Sequence, residues 1–141
     1  MADAVSRIAS VRSGSTASGG AWDLYRIFNN ELVNGTADVD SVLDPSAPGL
    51  ELAQFMTFGL YVVLTGTTPD VAFQLLQSFD NTAANFAIPD VDGTIVTVVD
   101  TAIHQVTVFA TQMPFFRIRA NGQGSNGSNV RATAYVWMQT G

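Results

Sequence analysis

The side chains that could carry out acid–base or nucleophilic chemistry are few. His104 is the only histidine, and the 141 residues contain no cysteine. No serine stands in a Gly-x-Ser-x-Gly turn, so a serine nucleophile would lack a recognisable partner. A glycosidase would need a carboxylate pair such as Asp90 and Asp100, and nothing in the sequence brings these two together. We therefore predict that the protein is not an enzyme and uses no cofactor.

Metal binding has little support in the sequence. With one histidine and no cysteine, a zinc or copper site would need mostly carboxylate ligands, which is unusual. Calcium accepts such ligands, and the candidate clusters are Asp38, Asp40 and Asp44, and Asp90 with Asp92. Neither cluster has EF-hand spacing, and Asp-x-Asp-Gly is an ordinary turn composition. The prediction is that no metal site is present.

The aromatic residues are better candidates for a binding surface. Trp22, Tyr25, Tyr135 and Trp137 could form a platform that stacks on sugar rings, as in β-sandwich proteins that bind carbohydrates. The alternative is that two of them belong to the core and the others pack beneath loops.

A second candidate surface is a protein interface on the outward face of the last two predicted strands. This face would carry Arg117, Arg119, Arg131, Tyr135 and Trp137. Arginine, tyrosine and tryptophan are the residues enriched at interface hot spots. The chain also has no lysine, the residue with which sheets commonly protect their edges. We therefore predict that neighbouring subunits cover the sheet edges.

The order of apolar and polar residues predicts an all-β protein. Good helix formers are scarce, whereas Val, Thr, Phe and Ile are plentiful. Strands are predicted over 22–28, 38–43, 55–64, 71–79, 86–88, 94–99, 104–109, 115–120 and 130–138. A series of short strands separated by turns is typical of an antiparallel β-sandwich or jelly roll.

Two local assignments have specific consequences. The runs 115–120 and 130–138 flank a loop of Gly, Asn and Ser, a composition that predicts a long hairpin. A helix over 70–77 is an alternative to the strand there, because its leucines also suit a helical stripe.

The N-terminal residues differ in composition from the rest. Residues 13–20 have the composition of a flexible linker, so we predict a flexible N-terminal arm over 1–20 and a β-sandwich domain over 21–141. The arm is either a frayed terminus or an extension that docks on a neighbouring subunit. Arg7 and Arg12 give it positive charge in a chain of net charge −6, which favours docking.

Charge and hydropathy also exclude some partners. A net charge of −6 argues against non-specific nucleic-acid binding, which depends on many Lys and Arg contacts to phosphates. The longest apolar run, 55–64, is shorter than the ~20 residues that span a bilayer. We expect neither a nucleic-acid nor a membrane partner.

Two stretches of the sequence are distinctive. One is Phe-Gly-Leu-Tyr-Val-Val-Leu-Thr-Gly-Thr-Thr-Pro-Asp, followed by a strand ending Gln-Ser-Phe-Asp, over 58–80. The other is Met-Pro-Phe-Phe-Arg-Ile-Arg-Ala-Asn-Gly from 113, with the Gly/Ser/Asn loop and final strand after it. Both resemble stretches of the capsid decoration (cement) proteins of tailed bacteriophages, and the resemblance covers most of 55–140.

The resemblance implies a non-enzymatic protein of the virion. Such a protein would sit on the outer capsid surface, bind the major capsid protein and assemble with itself, often as a trimer. Its arm, with Arg7 and Arg12, would reach a neighbouring subunit. The alternative function is a tail or fibre component, or a carbohydrate-binding module, that recognises a host glycan through Trp or Tyr.

Overall fold

Over the residues that the structure describes, the fold consists of eleven β-strands and one short 3-10 helix at Ala83–Asn85. The computed structural model describes residues 4–15, 20–43, 48–51, 57–87, 93–109 and 114–139. The strands are β1 (Ala4–Arg7), β2 (Ala9–Ser15), β3 (Ala21–Leu32), β4 (Asp38–Val42), β5 (Leu50–Glu51), β6 (Thr57–Thr65), β7 (Val71–Ser78), β8 (Thr94–Val98), β9 (His104–Phe109), β10 (Phe115–Gly122) and β11 (Arg131–Gln139). Among the described residues, none forms a helix long and apolar enough to cross a membrane.

The strands form two sheets with a nested pairing order. Sheet A has the order β1-β4-β10-β7-β8, with β5 also paired to β10, and sheet B has the order β2-β3-β11-β6-β9. Strand β3 pairs with β11, β4 with β10, β6 with β9, and β7 with β8, all antiparallel. Such nesting is what results when one long hairpin is folded into two sheets, and it defines a jelly roll. The predicted all-β jelly-roll sandwich is confirmed.

The core lies between the sheets and follows from the period-two pattern. Phe116, Ile118 and Ala120 alternate along β10 and are fully buried. The Phe58 and Phe116 rings stack across the two sheets with centroids 4.6 Å apart. Burying each such side chain contributes roughly 1.5–3 kcal/mol, so these pairs hold the sheets face to face.

The predicted hairpin of the last two strands is wrong. Strand β10 lies in sheet A between β4 and β7, whereas β11 lies in sheet B between β3 and β6. The Gly/Asn/Ser loop therefore crosses from one sheet to the other, a gap of about 10 Å. Alternation identifies a strand and its buried face, but a loop of this length permits either pairing or crossing.

One side chain holds this crossing loop in place. Asn126 is buried, and its Nδ2 donates to the carbonyls of Val33 and Gly35, both at 2.8 Å. Its Oδ1 accepts a hydrogen bond from the Asp70 N–H at 2.9 Å. Asn126 therefore joins three connections at one end of the sandwich.

The N-terminal segment is not a free arm over its described residues. Strand β1 pairs in parallel with β4, and β2 pairs antiparallel with β3. Between them Ile8 is 7% exposed, and its N–H donates to the Val42 carbonyl at 2.8 Å. The linker-like composition did not predict these strands, because the pairing uses backbone groups that the edges of β3 and β4 offer to any sequence. Residues 1–3 and 16–19 lie outside the described residues.

The observed strand pairing decides two further predictions of local structure. The alternative helix over 70–77 is wrong, because β7 pairs along its length with β10 and over half of it with β8. In the predicted strand over 86–88, only an isolated bridge between Ala87 and Gln77 is found, and residue 88 lies outside the described residues.

Candidate functional site

The outer face of sheet B carries a groove of ≈ 610 Å³. We call it the aromatic groove and define it by Trp22, Leu24, Gly59, Tyr61, Tyr135 and Trp137, which all line it. The strand register explains why they meet: Trp137 on β11 lies opposite Leu24 on β3 and Gly59 on β6, and Tyr135 lies opposite Tyr61. Residues directly opposite one another in paired strands share a face.

Two glycines make room for the two indole rings. A Cβ atom added at Gly59 would overlap the six-membered ring of Trp137, and one added at Gly14 would lie 2.5 Å from Cζ2 of Trp22. Each indole therefore lies over a glycine of the neighbouring strand. Trp137 remains 42% exposed, so a large part of its ring faces solvent.

Polar groups border these aromatic surfaces. The Trp137 Nε1–H donates to Oε1 of Gln139 at 3.3 Å. The rings of Tyr61 and Tyr135 meet edge to face with centroids 5.9 Å apart. Gln105 on β9 lies opposite Tyr61 and also lines the groove. The groove thus combines apolar ring surfaces with amide and hydroxyl groups, the usual chemistry of a small-ligand site.

Three arginines share the outer face of sheet B. The Arg12 guanidinium lies 5.9 Å from the centroid of the Trp22 ring. Arg26 lies opposite Tyr135 in the β3–β11 register. Arg131, at the start of β11, donates from Nη1 to the Asn30 carbonyl at 3.0 Å.

Tyr25 does not belong to the predicted aromatic platform. It lies opposite Val136, whose side chain is buried, and it packs against the core. Partial burial and the negative charge of Asp23 raise the pKa of its hydroxyl. The other three predicted members, Trp22, Tyr135 and Trp137, do come together.

The predicted interface of five residues is divided between the two sheets. Arg131, Tyr135 and Trp137 lie on sheet B, whereas Arg117 and Arg119 lie on β10 of sheet A. This division follows from the crossing loop, since the two strands are not partners. The structure therefore does not bring these five residues together on one surface.

Arg117 and Arg119 instead surround a buried carboxylate. Asp40 is 3% exposed and accepts hydrogen bonds from Nε of Arg119 at 2.7 Å and from Nη2 at 3.1 Å. Nη2 of Arg117 lies 3.3 Å from the same carboxylate, and its guanidinium lies 4.9 Å from the centroid of the Phe86 ring. These contacts indicate a structural role within the chain.

The two arginines predicted in the arm lie at different edges. Arg7 ends β1 at the edge of sheet A and is exposed. Arg12 lies on β2 at the edge of sheet B, beside the aromatic groove. Any contact of either residue with another subunit stays a prediction.

Sequence reasoning missed Leu24, Gly59 and Tyr61 as parts of the site. Gly59 and Tyr61 stand in the most apolar run of the sequence, and its high apolar content hid the difference between its two faces. The available signal was the period-two pattern. One face carries Gly59, Tyr61, Val63 and Thr65, and it is less apolar than the face that carries Leu60, Val62 and Leu64.

Ionisable residues elsewhere form small local contacts. His104 Nε2 and Asp100 Oδ1 lie 2.7 Å apart at the β8–β9 turn. This hydrogen bond, with one from the Ala102 N–H, lowers the pKa of Asp100. Within the described ranges there is no group of three or more potential metal ligands. Asp40 is engaged by arginine and Asp38 accepts from Asn121, while residues 44, 90 and 92 lie outside these ranges.

Comparison with known proteins gives structural likenesses only. No protein family model and no curated protein sequence matches the chain. The K1 cleaved adhesin domain of Lys-gingipain from Porphyromonas gingivalis W83 has 14% identity and a TM-score of 0.48, with 96% of this chain and 85% of that chain covered. The SPBc2 prophage-derived protein YomS has 8% identity and a TM-score of 0.45, with 90% and 100% covered. A low affinity xylan binding module from Roseburia intestinalis has 10% identity and a TM-score of 0.44, with 93% and 87% covered. At these TM-scores, the functions of those proteins are not assigned to this chain.

Proposed function

We propose that the protein is a non-enzymatic module that binds a glycan in the aromatic groove of sheet B. The observation that carries this proposal is the Trp137 indole, 42% exposed and seated over Gly59. Because the exposed indole is held in position over a glycine, it offers a ring face to a ligand. Pyranose rings have an apolar C–H face that fits such a surface, and their hydroxyl groups need polar partners at its border.

The surroundings of Trp137 supply the rest of such a site. Trp22 and the Tyr61–Tyr135 pair extend the ring surface on both sides of it. Gln105 and Gln139 offer amide donors and acceptors at the border. The site lies on paired strands, so its geometry exists before the ligand binds, which lowers the entropy cost of binding.

The test is binding to a glycan array, followed by calorimetry with the best oligosaccharide. Trp137→Ala is expected to reduce affinity at least tenfold, because it removes the central ring surface. Phe79→Ala is the matched control: Phe79 is 65% exposed but follows β7 of sheet A. Equal affinity of wild type and Trp137→Ala would contradict the proposal.

A second candidate function is decoration of a phage capsid as a homotrimer on the outer capsid surface. The observation that favours it is exposed apolar side chains at both lateral sides of the sandwich. Val5 and Val11 on the N-terminal strands are 58% and 49% exposed, and Val99 and Ile103 beside the β8–β9 turn are 62% and 60% exposed. Different patches on opposite sides permit head-to-tail contacts, which form a ring where the rotation closes.

This second function is compatible with the first, because the groove lies on a sheet face and the apolar patches lie at the sides. Its test is co-sedimentation with empty capsids and, separately, with unassembled major capsid protein. A cement protein binds the assembled shell preferentially and thereby stabilises it by mass action. Binding to shells should be weakened by Val5→Asn with Ile103→Asn and retained by Trp137→Ala. Absence of wild-type binding to shells would refute this candidate.

A further inference from the structure

The outer face of sheet B differs in charge from the molecule as a whole. The strand register places Arg12, Arg26 and Arg131 on this face. Among the described residues that the register places there, none is Asp or Glu. The full chain has a net charge of −6. The aromatic groove therefore lies on a basic face of an acidic protein.

Two of these arginines lie beside residues that line the groove. The Arg12 guanidinium lies over the Trp22 ring. Arg26 lies opposite Tyr135 on β11 and is two residues from Leu24 along β3. Within the described part of the chain, neither has a carboxylate at ion-pair distance, whereas Arg117 and Arg119 are both engaged by Asp40. The Arg12 and Arg26 guanidinium groups are thus placed to meet a charge from outside the chain.

We propose that the glycan bound in the groove is anionic, with a sugar ring on Trp137 and a carboxylate or sulfate group held by Arg12 and Arg26. This inference rests on the proposed glycan-binding function and names its ligand class. A guanidinium matches the geometry of a carboxylate or sulfate and can donate two parallel hydrogen bonds. The local positive charge also matters for approach, because an acidic protein otherwise repels an anionic chain.

Single-stranded nucleic acid also combines anionic groups with flat rings, but the charges favour a glycan. Nucleic-acid grooves follow the phosphate backbone with many cations, and affinity depends on their number. This face has three arginines on a chain of net charge −6, and Arg131 lies at the far end of β11 from Trp137. An oligonucleotide is therefore included as a competing ligand in the test.

The experiment measures affinity by calorimetry for four ligands: hexagalacturonate, its carboxyl-reduced neutral form, a sulfated κ-carrageenan hexasaccharide and a dT10 oligonucleotide. The variants are Arg12→Gln and Arg26→Gln. Arg7→Gln is the matched control, because it changes the net charge equally but lies at the edge of sheet A. Thermal melting of each variant confirms that the fold is intact.

We expect one or both anionic hexasaccharides to bind more tightly than the neutral form. Arg12→Gln and Arg26→Gln should each weaken that binding about fivefold and leave the neutral ligand unaffected, as for a partly exposed charge pair. Raising sodium chloride from 20 to 500 mM should reduce the difference between charged and neutral ligands. Arg7→Gln should bind like wild type.

Several results would overturn the inference. If neutral and anionic sugars bind equally and the two arginine variants behave like wild type, the glycan is not anionic, but the proposed function stands provided that Trp137→Ala abolishes binding. An Arg7→Gln effect as large as that of Arg26→Gln would show that only net charge matters. Tighter binding of dT10 than of any sugar would assign the groove to nucleic acid. If no sugar binds the wild-type protein, the proposed function fails and this inference fails with it.

Discussion

The position of each indole ring depends on a residue without a side chain. Gly59 lies opposite Trp137 in the β6–β11 register, and Gly14 lies opposite Trp22 in the β2–β3 register. Any other residue at these positions would place a Cβ atom inside the ring volume. The observed positions of Trp22 and Trp137 therefore require a glycine on the neighbouring strand.

Gly59→Ala tests this role directly. The added Cβ would push the Trp137 ring away from the sheet and change its exposed face. We expect weaker glycan binding, by about tenfold, with a loss of unfolding free energy of no more than about 1–3 kcal/mol, typical of overpacking. Calorimetry and urea unfolding measure the two effects. Unchanged affinity would show that the ring position does not matter for binding.

The buried carboxylate of sheet A leads to a second residue-scale prediction. Asp40 is surrounded by two arginines that are themselves largely buried, with side-chain exposures of 11% for Arg117 and 22% for Arg119. Asp40→Asn would remove the negative charge that both arginines contact and should cost about 3–5 kcal/mol of unfolding free energy. Urea unfolding followed by tryptophan fluorescence measures the loss.

The matched control for Asp40→Asn is Asp100→Asn. Asp100 also contacts a basic side chain, through its hydrogen bond with His104, but the Asp100 side chain is 55% exposed. Asp100→Asn should lower the unfolding free energy far less than Asp40→Asn, because water compensates for the lost contact. Equal effects of the two substitutions would show that burial of Asp40 is not what makes it important.

At the scale of elements, alternation along the sequence predicted most strands but not their partners. The predicted strand over 104–109 coincides with β9, and the predicted inward residues of β10 and β11 are buried. Period two reports which face of a strand is apolar, and this information is local. Pairing depends on distant segments, so the separation of β10 from β11 was not predicted. For the same reason Arg117 and Arg119 were wrongly grouped with Trp137.

The N-terminal strands were missed because their stability comes from their neighbours. In β2 the residues Ser13, Gly14 and Ser15 have no preference for strands, yet they pair with β3. The position of Trp22 in the aromatic groove also depends on β2, since Gly14 and Arg12 contact Trp22. A composition that favours a linker is thus compatible with an ordered edge strand.

A chain that starts at Ala21 tests the contribution of these two strands. It loses the buried Ile8 side chain and the backbone pairs with β3 and β4. Burial of the Ile8 side chain alone stabilises the folded state by about 1.5–3 kcal/mol, so a lower melting temperature is expected. Weaker glycan binding should accompany it, because Trp22 loses its support.

The control for this truncation is a chain that starts at Ala4, which retains both strands. Its melting temperature and glycan affinity should equal those of the full chain. If the chain that starts at Ala21 also behaves like the full chain, the N-terminal strands add nothing to the stability of the domain.

At the scale of the whole molecule, the apolar patches on the two lateral sides predict a head-to-tail assembly. Val5→Asn blocks one side and Ile103→Asn blocks the other, and both residues are largely exposed in the single chain. Each variant alone should be a monomer by light scattering after gel filtration, whereas the wild type should form a closed ring. An equimolar mixture should form dimers, because each variant retains the side that the other lacks.

Other outcomes distinguish other assemblies. If Ile103→Asn stays oligomeric while Val5→Asn does not, the contact joins identical sides and is not head-to-tail. A monomeric wild type at high concentration would refute the prediction that neighbouring subunits cover the sheet edges. Trp137→Ala serves as the control, since its oligomeric state should not change.

The nested order of the strands also constrains how the chain reaches its native state. The central strand of sheet B is β11, at residues 131–139, and its partners β3 and β6 are made long before it. During synthesis, the edges of β3 and β6 that pair with β11 stay unpaired until β11 itself has left the ribosome. Because most pairings join distant parts of the chain, folding should be slow, and the waiting edges are exposed to aggregation. A nascent chain that stops before β11 therefore lacks the strand that connects the two halves of sheet B.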